Sequence, residues 1–178
     1  NYDNYELQPD SYWYSEQSDA VLRGNFNLLR PLFITSPFFT YYQAIVKFIF
    51  GDYWEIVLEL SQVSITSISA IYFYKLGLIL FKNKKVSSFA LIIFCFYPFT
   101  FWYVGAFTQD IWFQSFLIIF MFYFSMYLKN FNLKNLIISA LIFSLTFLTK
   151  SHILIFSLFI PLVIFFLKYN DLKKKIFH

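Results

Sequence analysis

The stretch "IVLELSQVSITSISAIYFYKLGLILF", residues 56–81, decides what kind of chain this is. As a helix it extends about 39 Å at 1.5 Å per residue, longer than the roughly 30 Å hydrocarbon core of a bilayer. It reads as a membrane span. Glu59, Gln62, Thr66 and Ser69, with Glu55 just ahead, share one face of it. Polar groups in a span turn toward the bundle interior, where they serve as interhelical glue or line a path for a polar solute.

Composition extends that reading to the whole chain. Of its 178 residues 59% are hydrophobic, 25% aromatic and only 13% charged, with a mean hydropathy of +0.59, which excludes a water-soluble globule. The net charge of +4 comes from basic residues in short clusters between apolar runs, a topological pattern that gives no reason to expect nucleic acid. The single cysteine, Cys95, supports neither a disulfide nor a thiolate cluster and is expected to be a buried core thiol.

Four more apolar segments follow. Residues 86–104 and 111–128 are long enough to span, whereas 136–149 and 153–167 fall short of the roughly 20 residues that a full crossing takes. The joint between the two short segments is "LTKSH", so Lys150 is expected in a recessed, wet pocket where they meet. Nine lysines lie in the links after the first, third and fifth segments: Lys82, Lys84 and Lys85; Lys129 and Lys134; Lys168, Lys173, Lys174 and Lys175. By the positive-inside rule these links are cytoplasmic. Nine of the ten acids, all but Asp171, then fall outside or in the outer half of the bundle.

The stretch before the spans is different. Residues 1–36, with "QPDSYWYSEQSDAVLRGNF" at 8–26, are polar and acidic and read as an extracytoplasmic loop. Such a loop needs a preceding helix to export it, and the chain starts at Asn1, so an upstream segment is expected. Residues 37–50 form an amphipathic helix punctuated by Ser36 as N-cap, Pro37 at its first position and Gly51 past its end. One face carries Phe38, Phe39, Tyr41, Tyr42, Ile45, Val46 and Ile49, the other Ser36, Thr40, Gln43 and Lys47, which predicts a helix lying in the interface. Tyr53 and Trp54 beyond it read as interfacial anchors. The fold class is therefore an all-α, polytopic transmembrane bundle of five apolar helices within residues 56–167, ending in a cytoplasmic basic tail at 168–178.

Three charged residues stand out because separate segments bring them to one membrane face: Asp10 in "PDSYWY", Asp110 in "TQDIW" and Lys150 in "LTKS". Each has a bland use: a solvated loop acid, a helix N-cap favoured by the dipole, a snorkelling lysine. Together they match what transfer from a lipid-phosphate sugar requires, a carboxylate to take a proton from the acceptor hydroxyl and a cation to steady the leaving phosphate. Periodicity alone does not single out that reaction.

The run from "LSQVSITSISAIYFYKLGLILFKNKK" through "YPFTFWYVGAFTQDIW" to "LIFSLTFLTKS" resembles the GT-C glycosyltransferases. The similarity is to bacterial members related to protein O-mannosyltransferases, lipid A aminoarabinose transferases and rhizobial galacturonosyltransferases. It rests on a glutamine early in the span, "YKLGLILF" before a basic turn, a proline in the second span, Thr-x-Asp entering the third and "LTK" closing a short helix. The resemblance implies a membrane glycosyltransferase of the cell envelope, multi-pass in the inner membrane, acting on its extracytoplasmic side. It implies a polyprenyl-phosphate sugar as donor and a lipid, glycan or protein as acceptor. Asp10 takes the place of the family's catalytic acid, Asp110 that of the acid in its second outer loop, and Lys150 that of the basic residue that contacts the carrier phosphate. The aminoarabinose transferases have a Glu-Lys pair where this chain has Thr35 and Ser36, which argues against that particular sugar. No cofactor is required by the sequence; a divalent metal is compatible with the family, some members of which use one. The competing class is a transporter or flippase component, with Glu59 and Gln62 as its pathway.

Overall fold

The computed structural model describes residues 9–27 and 36–165, and these are almost entirely helical, with no strand among them. The helices are α1 (Pro9–Leu22), α2 (Pro37–Phe50), α3 (Trp54–Phe81), α4 (Lys84–Cys95), α5 (Pro98–Gly105), α6 (Asp110–Asn130), α7 (Leu133–Thr149) and the short α8 (Leu154–Ser157), with 3-10 turns at Gly51–Tyr53 and Ser151–Ile153. Two stretches are long and apolar enough to cross a membrane: Pro37–Phe81, in which α2 leads through a turn into α3, and α6. The pair α4 and α5, bent by 48°, makes a third if counted as one broken span. The bend falls at Pro98, which cannot supply the amide that a continuous helix needs there. The two segments expected to be short are so: α7, and an apolar helical stretch at Ser151–Phe165.

Helices α3, α6 and α7 form the centre. Gln62 in the first third of α3 meets the link before α6, and further along the Tyr72 and Tyr123 hydroxyls are 3.2 Å apart, so α3 and α6 run in the same direction. Helix α7 returns antiparallel to α6, with the Phe120 and Phe143 rings 5.0 Å apart and tilted, and Lys150 back at Asp110. Both tight reversals use one device. Lys82 (φ 52°) and Phe131 (φ 49°) end their helices in the left-handed conformation, and the next residue, Asn83 or Asn132, caps the following helix with its side-chain oxygen. The basic links at Lys82–Lys85 and Lys129–Lys134 thus share one end of the bundle, opposite Asp110 and Lys150.

Helix α4 packs on α3 at a close approach. A Cβ placed on Gly77 would come within 3.1 Å of Ser87 Oγ, so the absence of a side chain there lets the two backbones meet. The outer face of α4 is bare, and Cys95 lies exposed on it; the buried thiol expected from the sequence is corrected, because only one side of α4 has a protein neighbour.

The largest difference from expectation lies ahead of the spans. Within the segment read as a loop, Pro9–Leu22 is a 14-residue helix, α1, packed along α2. Its buried side chains are Ser11, Tyr14, Gln17, Ser18, Ala20 and Val21, and they meet the polar face of α2, where Thr40 and Gln43 are fully buried. The apolar side of α2 at Ile45, Phe48 and Ile49 is exposed. Helix α2 is thus buried on two sides, its polar side at Thr40 and Gln43 and part of its apolar side at Phe39 and Val46. Its C-terminal apolar residues Ile45, Phe48 and Ile49 face the surroundings, as suits contact with lipid. Asp3, Glu6, Thr35 and the basic tail at 168–178 lie outside the described residues.

Candidate active site

Four helix termini converge at the end of the bundle opposite the basic links. Ser36 caps α2, its hydroxyl oxygen accepting from the Phe39 amide at 3.3 Å, and the same hydroxyl lies 3.4 Å from the carbonyl of Leu148 near the end of α7. Around this junction an aromatic core packs Tyr14, Phe39, Leu58, Phe107, Trp112 and Phe116. Trp112 is flanked by Tyr42 (4.7 Å between ring centres) and Phe38 (5.4 Å), and Trp54 lies 5.4 Å from Phe107. Trp54 also sits under the Lys47 ammonium and is half-buried, while Tyr53 is exposed.

Asp110 is the first residue of α6, where the helix dipole favours a negative charge. It does not cap the helix: the N-cap is Gln109, which makes no capping bond, and the Asp110 carboxylate turns to Lys150. Lys150 closes α7 in extended conformation (φ −142°, ψ 108°), its amide still bonded to the Thr146 carbonyl at 3.0 Å. This break throws its side chain across to α6, where Nζ lies 2.5 Å from Asp110 Oδ1 and 5.4 Å from the Phe113 ring centre. Both side chains are partly accessible, 22% for Lys150 and 31% for Asp110. Lys150 stands between α7 and the next short helical stretch, with Asp110 as its partner.

Asp10 stands in the first turn of α1 and is exposed; among the described residues no cation pairs with it. One turn on, Tyr14 is buried, and its phenol is held well above the usual range, first by burial, then by the charges of Asp10 and Asp110, with a hydrogen bond to the Ser36 backbone pulling the other way. Tyr14 packs in one core cluster with Phe107 and Trp112, which flank Asp110, so the start of α1 lies near the start of α6. The structure therefore gathers Asp10, Asp110 and Lys150 at one end, the last two in direct contact.

Two competing acids are sorted by their partners. Asp19 accepts from Lys47 at 2.6 Å, part of a lock in which Nζ also donates to the Ser15 carbonyl (3.0 Å) and hydroxyl (2.9 Å). Glu16 is exposed on α1. The lock and Tyr14 are features that sequence reading missed. The signal for both is helical spacing along 11, 14, 15, 18 and 19, hidden because the buried residues are mostly small and polar.

The polar face of α3 also divides. Gln62 is fully buried, its amide donating to the carbonyls of Ala106 (3.0 Å) and Thr108 (3.4 Å). It clamps the link that delivers Asp110. Thr66 and Ser69 bond back to their own helix, and Glu55 and Glu59 are exposed rather than turned inward. A pathway of Glu59 and Gln62 is not assembled. No three His, Cys, Asp or Glu side chains come together to hold a metal among the described residues.

Residues 34–178 match the family described as dolichyl-phosphate-mannose-protein mannosyltransferase, and the chain belongs to that family. It is an all-helical membrane glycosyltransferase of GT-C type. No curated protein and no solved structure matches it.

Proposed function

We propose that this member of the mannosyltransferase family moves a sugar from a polyprenyl-phosphate carrier to an acceptor hydroxyl on the extracytoplasmic face of the inner membrane. The observation that carries the reading is the unsaturated ammonium of Lys150. Among the described residues its three N–H groups meet one acceptor, Asp110, in a partly accessible position, and the exposed carboxylate of Asp10 belongs to the same end of the bundle. An ammonium with free donors, set back from water, attracts a phosphate more strongly than one in bulk solvent.

In this reading the acceptor oxygen attacks the anomeric carbon of the sugar. The bond from that carbon to the phosphate oxygen breaks, and the electron pair leaves with the carrier phosphate. Asp10 takes the proton of the attacking hydroxyl, and Lys150 offsets the charge that grows on the phosphate. Asp110 holds Lys150 in place through the ion pair. The donor, a lipid, arrives from the bilayer side, where the exposed apolar face of α2 borders the site; the acceptor is a lipid, glycan or protein. The lysine-rich links at the opposite end support the extracytoplasmic assignment by the positive-inside rule.

The test is transfer itself. Membranes holding the full-length protein are incubated with a panel of polyprenyl-phosphate sugars, with and without added magnesium or manganese, and labelled sugar is followed into acceptors. Transfer from at least one such donor is expected. Activity with nucleotide sugars alone would overturn the donor class.

A further inference from the structure

Lys75 lies in α3 ahead of its end at Phe81, inside the stretch that is long and apolar enough to cross a membrane. It is exposed, yet its ammonium does not reach for the lysine-rich links. Nζ lies 5.3 Å from the centre of the Tyr72 ring, one turn closer to the start of the helix, so the side chain folds back along α3. The Tyr72 hydroxyl in turn pairs with that of Tyr123 on α6 at 3.2 Å, and the Phe122 ring stands edge-on to Tyr72 at 5.1 Å. Helix α3 has 28 residues, about 42 Å of length, and so exceeds a roughly 30 Å hydrocarbon core by about 6 Å at each end. Tyr72 is about 13 Å from the end at Phe81. The ammonium beside it therefore lies below the headgroups, at the level of the acyl chains.

A charge at that depth is costly without an anion beside it. Among the described residues the bundle supplies none: both ion pairs are at the other end, and the nearest acid in α3, Glu59, is about 24 Å away along the helix. We propose that Lys75, with Tyr72 and Tyr123, binds the phosphate of an anionic phospholipid from the leaflet at the lysine-rich end. The donors suit a phosphate. The ammonium offers three N–H groups, and of the two phenol protons one is spent in the hydroxyl pair, which leaves the other to be given. The approach is lateral, because the exposed side chains of Ile71 and Ile68 continue the face of Lys75 toward the middle of the bilayer, where the acyl chains of a bound lipid run. A free anion in water has no such route. The exposed lysines at the helix ends, Lys82, Lys84, Lys85 and Lys129, enrich that leaflet region in anionic lipid, and Lys75 with the two hydroxyls holds one of them by its phosphate.

The site stands apart from sugar transfer, so binding alone tests it. The full-length protein in detergent is titrated with phosphatidylglycerol and, separately, with phosphatidylcholine, and bound lipid is counted by native mass spectrometry. The wild type should hold phosphatidylglycerol about 5- to 20-fold more tightly than phosphatidylcholine, the order of one or two charge-assisted contacts. Lys75→Met, which keeps the length of the side chain and removes its charge, should abolish that preference, and Lys75→Arg should keep it. Tyr123→Phe, which breaks the hydroxyl pair and keeps the ring, should weaken phosphatidylglycerol about 2- to 5-fold. Lys84→Met, in the link beyond the helix, should leave its affinity within about twofold. Wild-type affinity for phosphatidylglycerol in Lys75→Met or in Tyr123→Phe overturns the site, and so does equal binding of the two lipids by the wild type. A loss in Lys84→Met as large as in Lys75→Met overturns it as well, since the attraction would then belong to the basic end as a whole. If Lys75→Met does not fold, Lys75→Arg and Tyr123→Phe decide: a preference kept in the first and weakened in the second supports the site, and any other pairing overturns it.

Discussion

Two lysines in this molecule each grip an aspartate across a helix boundary, and they are built for different ends. Lys47 is 9% exposed and surrounded: Asp19 at 2.6 Å, the carbonyl and hydroxyl of Ser15, and the Trp54 ring 4.7 Å from its nitrogen. Every donor of its ammonium has an acceptor. Lys150 is more accessible, at 22%, and among the described residues its nitrogen meets Asp110 and lies over the Phe113 ring. The first lysine is a rivet between α1 and α2. The second has donors that meet no acceptor among the described residues. Ion-pair geometry is nearly equal in the two; the saturation of the ammonium is what differs.

That contrast is sharpened most by the acids. Asp10→Asn keeps shape and removes basicity, so transfer should fall about 10² to 10⁴-fold with donor binding retained, as for a lost general base. Asp19→Asn should leave turnover within a few fold and act on stability. If the outcomes were exchanged in a transfer assay, the base would lie in the lock and the comparison would be broken. Next in size, Lys150→Ala should weaken donor binding about 10- to 100-fold, the order of a lost charge-assisted contact of roughly 1.5–3 kcal/mol. Lys47→Ala should leave donor affinity unchanged in the same binding assay. Equal affinity losses would show that saturation is no guide.

Smaller effects concern stability alone. Gly77→Leu would force a side chain against Ser87 where α3 and α4 meet, at about 1–3 kcal/mol for overpacking, read as a lower unfolding midpoint in detergent. Lys47→Ala should cost about 1–2 kcal/mol, below the roughly 3–5 of a fully buried pair because Asp19 remains half in water. Least is the alkaline effect of Tyr14. Its folded pKa is raised above the unfolded value near 10, so the stability it lends is complete below about pH 10 and lost as pH rises beyond that. Tyr14→Phe should flatten the decline of the unfolding midpoint between about pH 10 and 11, and a decline equal to wild type would show that Tyr14 does not cause it.

Much of this molecule was legible because membranes impose strong rules. Spans of α3 and α6 follow from length and hydropathy, and the start of α2 from Ser36 and Pro37, whose capping geometry depends only on neighbours in sequence. The break at Lys150 was legible from two apolar segments too short to cross. Helix α1 was not, because hydropathy periodicity registers apolar faces, and α1 buries Ser11, Gln17 and Ser18 against Thr40 and Gln43. A polar seam between two helices has no hydropathy signature. Nor could the sequence tell Gln62 from Glu59, which share a face in projection; the partners of Gln62 are backbone carbonyls more than forty residues away.

By itself, then, the sequence determined the class, the helix boundaries set by proline, glycine and short-range caps, the clustering of lysines at one end, and the residue types from which a transferase site could be made. These rest on local geometry and on the bilayer as solvent, both of which act on a segment without reference to the others. Only the tertiary structure decided which acid is held in a lock and which is left open, and that Asp110 faces Lys150 instead of capping its helix. Those are outcomes of competition among partners distant in sequence. Charges choose the neighbour that packing brings within hydrogen-bond reach, and that choice exists only once α1, α2, α6 and α7 have come together.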